Sequence, residues 1–519
     1  MELSGTVSAS QIQGIDGGQV SPGKPNSIQD RVYSIGYAIL LAVSFSVWFI
    51  AIHAPLWLDE TVTFSVISRG FGQIIARQGG LASPTYYYIL LLWTKIAGTS
   101  EIALRIPSIL AMLAASYLVY LAARELFDRD AALIAAVVFS AHPYIIFESI
   151  DTRPYAFGAL AVSLAILLLV RLRNSDSNLL AGSFGAASAV IVYFQLLFGA
   201  ILPALAFCFV VLKMRNRKTF LQQFTVAFAS FTLAFLPVIP GLLFIFRTKG
   251  SHVFDAPPKL LDLAWTLAPG FLIHALVITA LVAAASRKID LSNRIGISRV
   301  LLCTSLALVP LLILFGLSIF TPLHIFVARY QLVAIPGIAL LWGSILNRID
   351  SRLIRLLFCA AVVSSSAYYY FHAPSSTIHG YTWKYALEIA EKNASTDNAA
   401  VVICSDLVEA DHMPMPIGEA VKDSPLFSPL SYYKLSVPVV GLPRALNDEA
   451  KRVGTGFVRE AARRQERFLA LAYFPSYDTL RWLASAASET HEVRLLGQNN
   501  DIMILEFTPR AQPGTPHLP

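Results

Sequence analysis

The chain has 519 residues, of which 55% are hydrophobic and only 14% charged. A soluble globular chain carries about 25% charged residues, so this composition excludes a soluble fold and points to a membrane protein. The net charge of +7 and isoelectric point near 9.1 fit basic cytoplasmic loops, and we read no nucleic-acid footprint in them.

The four cysteines, Cys208, Cys303, Cys359 and Cys404, stand at no paired spacing. Neither a disulfide framework nor a zinc motif is expected. Residues 1–31 are rich in Gly, Ser and Gln and read as a disordered cytoplasmic tail. Val32–Ile52 is the first span, about 20 apolar residues. No small-residue cleavage site follows it, so a removed signal peptide is not expected.

Further spans are expected at Arg105–Arg124, Ala131–Phe147, Ala156–Val170, Leu179–Tyr193, Phe198–Leu212 and Phe224–Phe246. Pro269–Ala285, Val300–Phe320, Tyr330–Leu346 and Leu353–Phe371 complete a set of eleven. Tyr86–Ala97 is apolar but short, and reads as interfacial. If it crossed, Asp59 and Asp151 would face opposite sides. Lying in the interface, it leaves both on one side, and nearly every short loop on the other side is then basic. The tail is therefore expected inside and the C-terminus outside.

The character changes from about His372. Tyr381–Lys392, Asn447–Gln465 and Tyr477–Ser488 read as helices. Ala399–Cys404, Phe468–Tyr473, Glu492–Leu496 and Ile502–Phe507 read as strands, the last two joined through Asn499–Asn500–Asp501. Residues 411–445 are Pro-rich and read as loop. The expected division is a tail at 1–31, a transmembrane catalytic domain at 32–372 and an extracytoplasmic α/β domain at 373–519.

Chemistry concentrates in two stretches. In the first, Ala54–Phe64, Asp59 and Glu60 stand where the chain leaves the membrane, and carboxylates at that boundary are costly without a use. One reading makes Asp59 a helix N-cap. The other makes it the general base that takes a proton from an acceptor hydroxyl during sugar transfer. A phosphate leaving group needs no general acid; it needs positive charge. The second stretch, Phe147–Tyr155, brings Asp151, Arg153 and Tyr155. Asp151 completes an acidic pair with Asp59 that holds an acceptor or a divalent cation, magnesium or manganese, and Glu60 is expected beside Asp59 to help position donor, acceptor or that ion. Arg153 pairs with a carboxylate or grips phosphate by its fork. The plainer reading of these three is interfacial charge and aromatic belt. Arg329 and Tyr330, at the outer end of the tenth span, offer a phosphate clamp or a snorkelling arginine. Lys249 and His252 are weaker candidates of the same kind. Tyr86 and Tyr87 belong to a crowd of outer-face aromatics, some of which can stack on a sugar ring.

In order, APLWLDETVTF, SPTYYYILLLWTKIAG, EIALRIPS, HPYIIFESIDTRPYAF and VARYQLVAIPG resemble bacterial membrane glycosyltransferases of the GT-C fold. The likeness is to the protein O-mannosyltransferase and lipid A aminoarabinose-transferase superfamily, over about residues 32–372. It implies a polyprenyl-phosphate sugar donor, an inverting transfer, and an acceptor that is lipid, glycan or protein. It also implies that Asp59 is the base, with Asp151 filling the second acidic position two residues before Arg-Pro-Tyr. Many relatives carry Glu there, and His-Pro-Pro where this chain has Ala82–Ser83–Pro84. The competing function classes are a lipid-linked-sugar flippase and a non-catalytic scaffold of envelope assembly. A transporter calls for midplane charges and inverted repeats, and neither is visible in the sequence.

Overall fold

The computed structural model describes residues 28–77, 84–214, 217–248, 257–267, 277, 297–349, 351–372, 383–499 and 501–510. Among them, eight helices are long and apolar enough to cross a membrane. Arg129–Ser140 and Pro143–Ser149, bent by 65° at their junction, bring the number to nine when counted as one span. Asn178–Phe194, expected to cross, has 17 residues and falls just short. The expected span Pro269–Ala285 lies almost wholly outside the described residues, so the eight or nine spans are a count among the described residues alone. The chain is a multi-pass membrane protein.

The first helix runs Ile28–Trp48, beginning and ending four residues before the expected bounds. Beyond it the backbone leaves helical geometry, and residues 51–57 are threaded over the start of the next span, Glu101–Leu126. Between these spans stand two shorter helices, Leu58–Ile67 and Thr85–Ala97. The latter has 13 residues, about 20 Å of helix against a bilayer core of about 30 Å. It buries Tyr86, Tyr87, Leu90 and Leu91 on one face and leaves Leu92 and Ile96 exposed.

The spans pack through small residues, as membrane helices do where no hydrophobic drive pulls helix to helix. A methyl group on Gly337 would overlap the backbone of Leu306, and one on Gly185 the backbone of Ala227. The Arg171–Glu125 and Arg355–Asp130 ion pairs join neighbouring spans at one end. Arg105 and Tyr155 mark the other end of the same bundle, about 30 Å away along Glu101–Leu126.

The C-terminal domain holds a five-stranded sheet in the order β2-β1-β3-β5-β4. Its strands are β1 Ala400–Cys404, β2 Val439–Leu442, β3 Phe468–Tyr473, β4 His491–Asn499 and β5 Ile502–Pro509. β1 pairs in parallel with β2 and β3, while β5 runs antiparallel to both β3 and β4. β2 corrects the expectation of loop throughout 411–445. Pro438 and Pro443 bracket the apolar run and hide it, and β2 tolerates them because it is an edge strand. The helices Trp383–Ala394, Asp448–Arg464 and Tyr477–Ala487 cover the sheet.

This domain sits on the helix that carries Asp59. Tyr433 Oη accepts the Leu56 N–H at 2.7 Å, and Ser428 and Thr61 hydroxyls meet at 3.0 Å. Phe64 packs edge-on against Tyr432. Lys384 reaches Glu101 at 3.4 Å, and Arg69 pairs with Asp423.

Candidate active site

Residues 51–57 have few backbone partners of their own, so side chains supply them. Arg105, fully buried, donates from Nη1 to the carbonyls of Ala51, Ile52 and Ala54 at 3.3, 2.9 and 2.5 Å, and from Nη2 to Pro55 at 3.2 Å. Its fork also grips Glu60, Nε to Oε1 at 2.8 Å and Nη2 to Oε2 at 2.5 Å. Glu60 Oε1 further accepts the Thr152 N–H and hydroxyl at 3.1 and 3.0 Å, and Oε2 the Trp57 N–H at 3.2 Å.

The expectation that Glu60 works beside Asp59 on the substrate is therefore corrected. Glu60 has zero exposure and its oxygens are fully engaged. It is a positioning residue that locks the first loop to the second span and to the 150–154 loop. The N-cap reading of Asp59 is corrected as well. Trp57 is the N-cap of Leu58–Ile67, and Glu60 takes the capping N–H.

Asp59 is the carboxylate left facing outward, with a fifth of its side chain exposed. Arg329 Nη1 meets its Oδ2 at 2.9 Å, and Arg153 Nη2 approaches the same oxygen at 3.8 Å. Arg329 thus turns toward the site, which corrects the snorkelling alternative. Its guanidinium also lies 5.5 Å from the Tyr330 ring centroid, and that of Arg153 5.8 Å from Tyr155.

Asp151 is 1% exposed and accepts the Trp57 indole N–H at 3.0 Å. Burial first, then the nearby Glu148 and Glu60, pushes the Asp151 carboxyl well above the usual range. Asp59 and Asp151 therefore belong to one cluster at one end of the bundle. The alternative in which Tyr86–Ala97 crosses the membrane would have set them a membrane apart.

Tyr86 and Tyr87 are 0% and 4% exposed and pack in the apolar cluster with Leu56, Val66, Ile67 and Leu104. They wall the site from behind, which corrects their expected contact with substrate. Tyr155 is buried and stands 6.3 Å from the half-exposed Tyr330, edge to face. Lys249 and His252 lie outside the described residues. Asp59 and Asp151 do not fit a divalent cation. Two guanidinium groups face Asp59, and Asp151 is buried and held by an indole N–H. Among the described residues, no group of three His, Cys, Asp or Glu side chains is arranged for a metal.

The sequence of the dolichyl-phosphate-mannose-protein mannosyltransferase family matches residues 82–244. ArnT from Cupriavidus metallidurans, in its crystal structure bound to undecaprenyl phosphate, superposes with a TM-score of 0.53 at 13% identity. That match covers 90% of this chain and 97% of ArnT. The chain has the GT-C fold. AglB from Archaeoglobus fulgidus, solved with an inhibitory peptide and a dolichol-phosphate, gives a TM-score of 0.45 at 12% identity, covering 93% of this chain and 75% of AglB. Arabinofuranosyltransferase AftD from Mycobacteria gives 0.44 at 13%, covering 93% and 42%. No curated protein matches the sequence. On the GT-C fold, Asp59 occupies the first loop after the first span, and Asp151 and Arg153 the loop that opens Tyr155–Leu172.

Proposed function

We propose that this chain is an inverting glycosyltransferase that moves a sugar from a polyprenyl-phosphate carrier to an acceptor outside the cytoplasm. The acceptor is the hydroxyl of lipid A or core oligosaccharide, of another glycan, or of a protein. One observation carries the reading: Asp59 is a partly exposed carboxylate held between Arg329 and Arg153 at the bundle end. That is a base set beside two phosphate-binding cations.

In the reaction, the acceptor hydroxyl gives its proton to Asp59 as its oxygen attacks the anomeric carbon. The bond from that carbon to the phosphate oxygen breaks on the opposite face. The phosphate leaves with one more negative charge, which Arg153 and Arg329 neutralise. A phosphate between the two arginines also draws them from Asp59, which leaves its carboxylate free to meet the acceptor hydroxyl. Glu60 and Arg105 act through Asp59, by fixing the loop that presents it. The step needs no metal ion. Basic loops at the far end of the bundle support an orientation with that end in the cytoplasm. The site and the C-terminal domain then lie on the periplasmic face of a bacterial inner membrane, with the carrier's tail among membrane lipids. The charges lie at one end of the spans and not at the midplane, which disfavours a flippase.

The test is transfer by the purified protein from a panel of polyprenyl-phosphate sugars, for wild type and Asp59→Asn, with and without a chelator. We expect turnover of one donor, unaffected by chelator and lowered about 10²- to 10⁴-fold in the variant. Full activity in Asp59→Asn would overturn the assignment of the base.

A further inference from the structure

Buried polar atoms almost always have partners, and an orphan among them asks for an explanation. Two charged side chains of the candidate site carry such orphans. Glu148 Oε2 is buried with no hydrogen-bond partner, in a residue only 4% exposed. Arg153 Nε is likewise buried and without one.

Glu148 closes the Pro143–Ser149 helix, which ends where the 150–154 loop begins. The charges of Arg329, Arg153 and Asp59 all reach its carboxyl, which sets Glu148 near the base and both cations. Its neighbour Phe147 packs edge-on against Trp57, which anchors the helix under the first loop. Asp151 lies near enough to act on the Glu148 carboxyl, and Glu148 Oε2 is left as an acceptor with no protein donor.

An orphan acceptor beside an orphan guanidinium donor matches a ligand that carries hydroxyl donors next to an anion. A glycosyl phosphate has that pattern. We propose that Glu148 is a donor-specificity residue, its free oxygen accepting a hydroxyl of the sugar while Arg153 Nε takes the adjoining phosphate. This rests on the glycosyltransferase reading and adds the residue that recognises the sugar. Asp151, whose charge reaches the Glu148 carboxyl, is the positioning partner of Glu148 in this scheme. A sugar lacking the matching hydroxyl leaves the Glu148 oxygen unpaired, and sites built this way reject such analogues strongly.

The experiment compares binding of bare undecaprenyl phosphate with binding of undecaprenyl-phosphate monosaccharides. The monosaccharides are a hexose, a pentose, an N-acetylhexosamine and a uronic acid, each with its deoxy analogues. The proteins are wild type, Glu148→Gln and Glu148→Leu. Wild type is expected to bind one sugar-linked lipid more tightly than the bare carrier. Glu148→Leu is expected to lose roughly 10- to 100-fold in that affinity, the worth of a hydrogen bond to a charged group. Bare-carrier affinity is expected to stay unchanged, which also shows that the variant is folded. Glu148→Gln keeps an acceptor oxygen and is expected to retain part of the increment. One deoxy analogue is expected to bind wild type and Glu148→Leu alike. An increment that survives in both variants overturns the proposal, as does a wild type that binds every sugar-linked lipid no better than bare carrier. A wild type that binds no carrier lipid at all, bare or sugar-linked, sinks the glycosyltransferase reading itself.

Discussion

Replacing Arg105 by Leu tests the frame that holds Asp59. Arg105 and Glu60 are both fully buried and joined by two hydrogen bonds. Removing one partner of such a pair strands a charge, at about 3–5 kcal/mol. Glu60→Leu strands the guanidinium instead and should cost a similar amount. The double variant strands neither charge. It leaves the Thr152 and Trp57 N–H groups without their acceptor, at about 1–3 kcal/mol each. With the singles summing to roughly 6–10 kcal/mol and the double at roughly 2–6, the single effects should overstate the double by about 4 kcal/mol. The measurement is equilibrium unfolding in mixed detergent micelles, followed by tryptophan fluorescence, over all four corners of the cycle. Arg105→Lys adds a further check: it keeps the charge but lacks the planar fork, and it should fall between wild type and Arg105→Leu. Single effects that add to within about 0.5 kcal/mol would refute the argument, because they would mean that Arg105 and Glu60 serve the fold separately.

Other perturbations probe the remaining parts. Arg153→Ala and Arg329→Ala should each weaken undecaprenyl phosphate binding about tenfold or more, as loss of a charge-assisted hydrogen bond requires; unchanged affinity in both would remove the phosphate clamp. Tyr433→Phe leaves the buried Leu56 N–H unpaired, which should cost about 1–3 kcal/mol locally. It should speed hydrogen exchange across residues 54–60 while leaving the spans protected. Asp406, which accepts the Trp383 indole N–H at 2.9 Å, has its carboxyl held up by burial to about 7, from an ordinary 3.8. The folded chain therefore binds a proton that the unfolded chain releases, and stability falls as pH rises from about 4 to about 7. Asp406→Asn should flatten that slope, so that its advantage over wild type in thermal unfolding is largest at pH 8 and fades toward pH 4.

The spans and the two charged stretches were legible because hydropathy and charge report directly on transfer into lipid. What was not legible is how neighbouring side chains divide their work. Asp59 and Glu60 are adjacent on a helix, so they point about 100° apart and cannot both face one substrate. That deduction needed the helix start at Leu58, which a Trp N-cap does not announce. Arg105 reads in sequence as a basic residue at the end of an apolar span. Only the fold brings the carbonyls of residues 51–55 onto it. Glu148 stands three residues before Asp151 and reads as one more interfacial charge. Its meaning lies in a buried contact and an orphan oxygen, neither of which leaves a pattern in sequence. β2 escaped because its flanking prolines carry the same signal as a loop.

Asp59 is positioned by parts of the chain that are far apart in sequence. Arg105, from the second span, fixes the carbonyls of residues 51–55. Thr152 and Asp151, from the 150–154 loop, hold Glu60 and Trp57 on either side of it. Tyr433 and Ser428, from the C-terminal domain, hold Leu56 and Thr61. Each of the three anchors alone leaves the loop a hinge. Together they pin it before, within and after the turn into Leu58–Ile67. The contacts of Tyr433 and Ser428 make the C-terminal domain one of the three supports of the segment that presents Asp59.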